Sequence, residues 1–358
     1  MKKFVKTSTN SSNISEIFLT FSFEEYSGIS EAMSEAASIL KNRNASVFQD
    51  RYFIPEANSG DEIASLRKEL FPDSKDLPLP SVLSTKFGGG ISIQAFSGLD
   101  FLPLQDDGKN IGVSFSCDHG RIVSLPGIIP DSPRKDREEQ AREIFYKAER
   151  FLVSAGLDFN NIPRTWLWLN GILDWYDDFN IIRNSFYKKK GLLCSGDLSP
   201  VPASTGIGIE SESGLHCSLD LIACSSGNCI NFFRETDKQK SPCEYGSAFS
   251  RASSMRTPAG RNIYISGTAA LDRSGNTINP GKSQEQIKDT FKAVRAALEK
   301  TGCSEADMVQ ANVYCRDKSV YEDFLSFPPP DWPFVPVAGT ICRDDLLFEI
   351  DCTAFKPE

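Results

Sequence analysis

From Lys86 to Gly127, apolar and polar residues alternate between glycine-rich turns, with the period of paired β-strands. GGGISIQAF and NIGVSFSC are the clearest stretches. A helix is expected next. Asp131, Ser132 and Pro133 form its start: a capping side chain, then a proline in the first turn. Ala141, Ile144, Phe145, Ala148, Phe151 and Leu152 fall on one helical face, and Gly156 supplies the stop. A strand is expected at Arg164–Leu169.

The construction recurs near the C-terminus. A strand is expected at Asn262–Ser266, a turn at Asp272 to Gly275, a helix over Ser283–Lys300 and a strand over Met308–Cys315. The two helices align without a gap: Gln140 matches Gln286, Phe145 matches Phe291, Leu152 matches Leu298 and Gly156 matches Gly302, all at one offset. This predicts an internal repeat in an α+β chain of two tandem halves, each a mixed sheet with helices on one face. Between the halves lies 174–250, with a helix-like run from Asp174 to Tyr187. Pro336–Phe355 reads as strand. Residues 1–75 show only one amphipathic helix, Glu31 to Asn42, before a proline-rich break at Leu77 to Pro80. The expected division is 1–75 of unclear role, 76–200 as an N-terminal half and 201–358 as a C-terminal half.

Composition narrows the function. The 358 residues are 40% hydrophobic and 24% charged, which excludes a disordered or low-complexity chain. A net charge of −9 argues against a nucleic-acid or anionic-membrane surface. No run of about 18 apolar residues exists, and MKKFVKTSTNSSNIS lacks the apolar core of an export signal. A cytoplasmic location is therefore expected, with the ten cysteines as free thiols, since they form no CxxC pair. Only His119 and His216 are present, and Cys117 with His119 is a lone ligand pair, so no metal site is expected. The scarcity of histidine directs the chemistry to carboxylates and arginines.

Four segments carry candidates. Arg164 opens the RTWLW strand, and Arg183 follows in FNIIR among aromatic residues. PASTGIG, around Thr205, has glycines that suit close approach to a ligand. Arg251 in YGSAFSRA stands before a strand, where a guanidinium can hold a carboxylate through two bonds. In ICRDDLLFEID, Glu349 and Asp351 share one face of a strand and Phe348 and Ile350 the other. Glu349 between those apolar neighbours is a candidate acid of raised pKa.

The C-terminal half, from about Asn262, resembles the YjgF/RidA (chorismate mutase-like) fold through ISGTAALDRSGNTI, the Gln286 helix, the Gly302 turn, VYCRD and LLFEID. The ordered series RTWLW, FNIIR, PASTGIG, YGSAFSRA, ISGTA and ICRDDLLFEID is similar to the chorismatase family. The resemblance implies cleavage of the enolpyruvyl ether of chorismate with release of pyruvate, without a cofactor. It puts the catalytic glutamate at Glu349 and offers Arg164, Arg183, Arg251, Arg316 and Arg343 as anchors for two carboxylates. Thr205, Gly267 and Ala252 lie in the same motifs as substrate-binding positions. Cys342 resembles the 3-hydroxybenzoate-forming branch; alanine there would resemble the branch that stops at a dihydroxycyclohexadiene carboxylate. At Ala252 the aromatising branch more often has glycine. The sequence departs from the family at Leu167-Trp168, where Asn-Tyr is common, and in Ile230–Ser241 and Phe327–Pro333. A RidA-like enamine or imine deaminase and a non-catalytic small-molecule binder are the competing readings. A trimer and a monomer both fit.

Overall fold

In a computed structural model of the chain, residues 1–26, 28–55, 60–71, 80–193, 200–211, 215–327 and 332–357 are described. Cys194 and most of the proline-rich break at Leu77–Pro80 lie outside them, as does much of Phe327–Pro333. Three six-stranded sheets follow one another along the chain. The first unit contains β1 (Lys2–Thr9), β2 (Ser15–Phe23), α1 (Gly28–Asn42), β3 (Ala45–Ile54), α2 (Gly60–Leu70), β4 (Ser81–Ser84) and β5 (Gly89–Ser97). The second contains β6 (Leu102–Asp106), β7 (Lys109–Cys117), β8 (Gly120–Ile128), α3 (Arg137–Ser154), β9 (Arg164–Leu169), α4 (Tyr176–Lys189) and β10 (Ala203–Ile207). After β11 (Glu210–Ser211), which pairs back onto β4, strand β12 (Cys217–Cys224) completes it. The third contains β13 (Ile230–Phe233), β14 (Ala252–Thr257), β15 (Gly260–Ala269), α5 (Ser283–Lys300), β16 (Met308–Cys315), α6 (Lys318–Ser326), β17 (Phe334–Ala338) and β18 (Phe348–Pro357).

The connectivity is the same in all three. A hairpin leads through a helix to a strand, and a second helix leads to a parallel edge strand. The last strand then inserts between hairpin and third strand, giving β1-β2-β5-β3-β4, β7-β8-β12-β9-β10 and β14-β15-β18-β16-β17. The two expected repeats are the second and third units, and residues 2–97 form a further one. Its helices lack the matched glutamine and glycine. Asn44, at φ 48°, takes the left-handed position after α1 that Gly156 and Gly302 take after α3 and α5.

GGGISIQAF and NIGVSFSC are paired strands as expected, in different sheets: β5 lies between β2 and β3, and β7 between β6 and β8. Two expectations change. The first long helix starts at Arg137, because Asp136 accepts the Glu139 N–H at 2.8 Å while Asp131 is bound by Lys147. Residues 174–224 do not lie between halves. There α4 covers the second sheet, and β12 bonds to both β8 and β9.

Each pair of helices packs on the outer face of its own sheet. The inner faces of the three sheets meet in one apolar core. Edge strand β10 packs on β15 of the next unit, and β17 on β2 of the first, which closes a ring. Phe53, Trp168 and Tyr314 occupy the same register position in the three units, opposite Gly90, Ser218 and Glu349. The Phe53 ring lies 5.8 Å from Trp168 and 6.4 Å from Tyr314, so the repeat is a threefold one.

Candidate active site

Glu349 is the second residue of β18, opposite Ala269 on β15 and Tyr314 on β16. Phe348 and Ile350 point to the helix side, into the core with α5 and α6. Glu349 therefore faces inward, where the second and third units meet. At the corresponding place between the third and first units stands Gly90, whose Cβ would strike the Phe21 carbonyl and Val335. Between the first and second units it is Ser218. The carboxylic acid is peculiar to one of three equivalent interfaces.

A narrow cleft with a volume of about 50 Å³ opens there. Glu349 is 6% exposed, and none of the described residues hydrogen-bonds its carboxyl group. Burial raises its pKa from 4.5 to about 8; the nearby Asp351 carboxylate adds to the rise, and Arg251 and Arg164 oppose it. At neutral pH this acid holds its proton. Gly267 lies against it at a bulge in β15: a Cβ there would overlap Oε1.

Three arginines line the same cleft, with two rings beside them. Arg183, on α4, lies 5.9 Å from the Phe249 ring, and Arg251 lies 5.6 Å from the same ring. Arg251 and Arg343 lie 5.7 and 5.6 Å from Tyr245. These contacts space the guanidinium groups and shield their flat faces. Arg251 is held further by the Lys240 carbonyl at 3.0 Å, and Arg183 by Asn180. Arg343 donates to the Gly275 carbonyl. Cys342 also lines the cleft, its thiol raised to about 12 by burial and then by Glu349, and is therefore neutral. The Tyr176 hydroxyl is raised to about 12, mainly by burial.

The structure thus gathers Glu349, Cys342, Arg183, Arg251, Arg343 and Gly267 around one cleft. Four expected positions fall outside its lining. Arg164 is 1% exposed and lies behind the wall, paired with Asp351 at 3.1 Å and bonded to Thr205 at 2.7 Å. Thr205 Oγ1 also accepts the Gly267 N–H at 3.1 Å, so it supports the glycine from beneath. Arg316 bonds to the carbonyl and carboxylate of Asp344, which fastens the turn carrying Arg343. Ala252 faces the helix-side core because it follows Arg251 and strand side chains alternate. Tyr176, Tyr245 and Phe249 were not among the expected positions; for the last two the signal was the pair of rings ahead of Arg251 in YGSAFSR. Leu271 and Leu346 also line the cleft, and nothing in the sequence marked them.

Residues 247–356 match the family model described as Endoribonuclease L-PSP. A RutC family protein of Pyrococcus abyssi is 28% identical over 112 residues, 29% of this chain and 85% of that protein. Its counterpart in Pyrococcus horikoshii is 27% identical over 112 residues, covering 29% of this chain and 86% of that one. A crystal structure of a chorismatase aligns over 98% of this chain and 100% of its own, at 16% identity and a TM-score of 0.61. The chain therefore has the whole-chain fold of a chorismatase, with a YjgF/RidA-type unit over its last third.

Proposed function

We propose that this protein cleaves the enolpyruvyl ether of chorismate, releases pyruvate and yields 3-hydroxybenzoate. The carrying observation is a buried Glu349, its pKa raised to about 8 by burial, that shares one cleft with Arg183, Arg251 and Arg343. Chorismate carries two carboxylates, and the three arginines supply charge-assisted bonds for both. Cleaving the ether requires a proton on the vinyl methylene carbon. Glu349 delivers it, and oxocarbenium character develops at the ether-bearing carbon. The Glu349 carboxylate left behind faces that charge. For the hydroxybenzoate the neighbouring ring hydroxyl completes the cleavage. Its oxygen bonds to the ether-bearing ring carbon as that carbon's C–O bond breaks toward pyruvate, and its proton returns to the Glu349 carboxylate. The ring becomes aromatic by opening of the bridging C–O bond and loss of a ring proton. Attack by water instead would leave the dihydrodiol. The reading draws support from the shared fold and from the placing of Glu349, Arg251 and Cys342 in one cleft.

The test follows pyruvate from purified protein and chorismate through lactate dehydrogenase. One pyruvate per chorismate is expected, abolished in Glu349→Gln. An inactive wild type with intact fold would refute the reading.

A further inference from the structure

Asp351 lies two residues beyond Glu349 on the same inward face of β18. Its buried carboxylate accepts three hydrogen bonds, from the Tyr314 hydroxyl at 2.7 Å, Asn312 Nδ2 at 3.2 Å and Trp166 Nε1 at 3.4 Å, and forms an ion pair with Arg164 Nη2 at 3.1 Å. Arg164 Nη2 also reaches Thr205, and Thr205 accepts from Gly267, the glycine on which the Glu349 carboxyl rests. A continuous series of contacts joins the ion pair to the acid.

The charged and titratable groups around Glu349 come from every neighbouring element. Asp351 shares its strand, Arg164 comes from β9 and Tyr314 from β16. Arg183 and Tyr176 come from α4, Tyr245 and Arg251 from ahead of β14, and Cys342 and Arg343 from the turn before β18. Arg183, Arg251 and Arg343 face the cleft, where an anionic ligand would meet their charge. Arg164 does not face it; its charge is met by Asp351.

The second unit repeats the device without the acid. Asp220 holds on β12 the register position of Asp351, and it pairs with Arg51 at 3.1 Å. Two residues earlier stands Ser218. The buried pair belongs to the scaffold of the repeat, and only in the third unit does it lie beneath a carboxylic acid.

We propose that Asp351 and Arg164 are a positioning pair for the Glu349 acid: Asp351 cancels and fixes the guanidinium charge, so that Glu349 keeps the proton it must deliver. The proposal rests on Glu349 being the acid of the reaction proposed above. A guanidinium left uncompensated at this depth would favour the Glu349 carboxylate, since an opposite charge within about 4–6 Å lowers a carboxyl pKa by about 1–3 units.

The test follows the infrared carbonyl band of the protonated Glu349 carboxyl against pH, assigned as the band missing in Glu349→Gln. Asp351→Asn is expected to lower its midpoint by about one pH unit or more. Arg164→Gln is expected to raise it, since Asp351 keeps three other donors. The upper limb of the pH–rate profile should move with each. Midpoints that stay in place, or that move the same way in both variants, overturn the proposal. If Asp351→Asn does not fold, the direction of the Arg164→Gln shift decides alone. The band needs no substrate, so a wild type inert toward chorismate but showing both shifts would overturn the chorismate reading and leave the pairing standing.

Discussion

Gly267 and Glu349 share one volume: a Cβ on Gly267 would fall on the Glu349 Oε1. The acid rests against bare backbone, and Thr205 holds that backbone in place through the Gly267 N–H. Gly267→Ala should displace the Glu349 carboxyl, the free end of a flexible side chain, rather than break the sheet. The expected result is a fall in kcat of at least about 10², the lower end of what general acid catalysis contributes, with a melting temperature close to that of the wild type. Wild-type turnover in Gly267→Ala would mean that the acid works from another position.

Glu349 acts only when protonated, so pyruvate release should be flat toward lower pH and fall as pH rises through about 8. Glu349→Gln keeps the shape and loses the proton, and turnover should drop by about 10²–10⁴. Stability should move the other way. The folded protein binds this proton more tightly than the unfolded chain, so Glu349 lowers stability progressively as pH rises from about 4.5 to about 8. The glutamine variant should therefore gain stability over the wild type in alkaline buffer, as read by urea denaturation at pH 5 and pH 9.

Much of this site was legible because strand period and helix ends leave strong marks. The strands from Arg164 and Met308 and the helix from Ser283 have the expected limits. Alternation put Glu349 on the face opposite Phe348 and Ile350, and made it a candidate buried acid without telling which face of the sheet is covered. Arg164 was legible as important and not as a cleft residue, because alternation does not say which inward-facing cation meets a carboxylate from another unit. Arg316 and Asp344 meet across a turn whose path the sequence does not give. The first unit stayed hidden for a local reason: Asn44 replaces the expected glycine, and its strand β2, largely buried, breaks the alternation at Ile17, Phe18 and Leu19.

Arg251→Ala should raise KM for chorismate by about 10–150-fold, the loss of one charge-assisted bond of roughly 1.5–3 kcal/mol. Arg251→Lys should recover little of it, because the guanidinium plane lies by the Tyr245 and Phe249 rings and its Nε is held by the Lys240 carbonyl. An unchanged KM in both variants would place the carboxylate anchor elsewhere.

Glu16, on β2, joins the first and third units. It is fully buried and accepts from Gln94 at 2.7 Å, Asn262 at 2.8 Å and Thr257. Burial raises it from 4.5 to about 7 against those bonds, so it too costs stability as pH rises from about 4.5 to about 7. The cost is on the order of 3 kcal/mol at about 1.4 kcal/mol per pKa unit. Glu16→Gln keeps the shape and abolishes the titration. Because the Glu349 window overlaps, the comparison belongs in the Glu349→Gln background. There Glu16→Gln should flatten the remaining fall in unfolding free energy between pH 5 and pH 8. An unchanged slope would show that Glu16 does not titrate there.

Cys342 and Glu349 are separated by an odd number of residues, so one unbroken strand would face them in opposite directions. The chain turns at Asp344 and Asp345, with Leu346 N–H bonded to the Arg343 carbonyl at 3.2 Å, and β18 begins only at Phe348. Both side chains thereby reach the cleft. A thiol raised to about 12 is no nucleophile at neutral pH. What it contributes is bulk, packed beside Ala269, Ile341 and Leu346. The two product routes differ in one respect that bulk controls: the dihydroxycyclohexadiene carboxylate incorporates a water, and the hydroxybenzoate does not. A side chain that fills the space beside the substrate therefore favours the route without water, and alanine opens that space. Chromatography of the products should give mainly 3-hydroxybenzoate from the wild type. Cys342→Ala should shift toward the dihydrodiol while pyruvate release continues. A wild type that gives only dihydrodiol would overturn the product assignment and leave ether cleavage intact, and equal ratios in the two proteins would reduce Cys342 to packing.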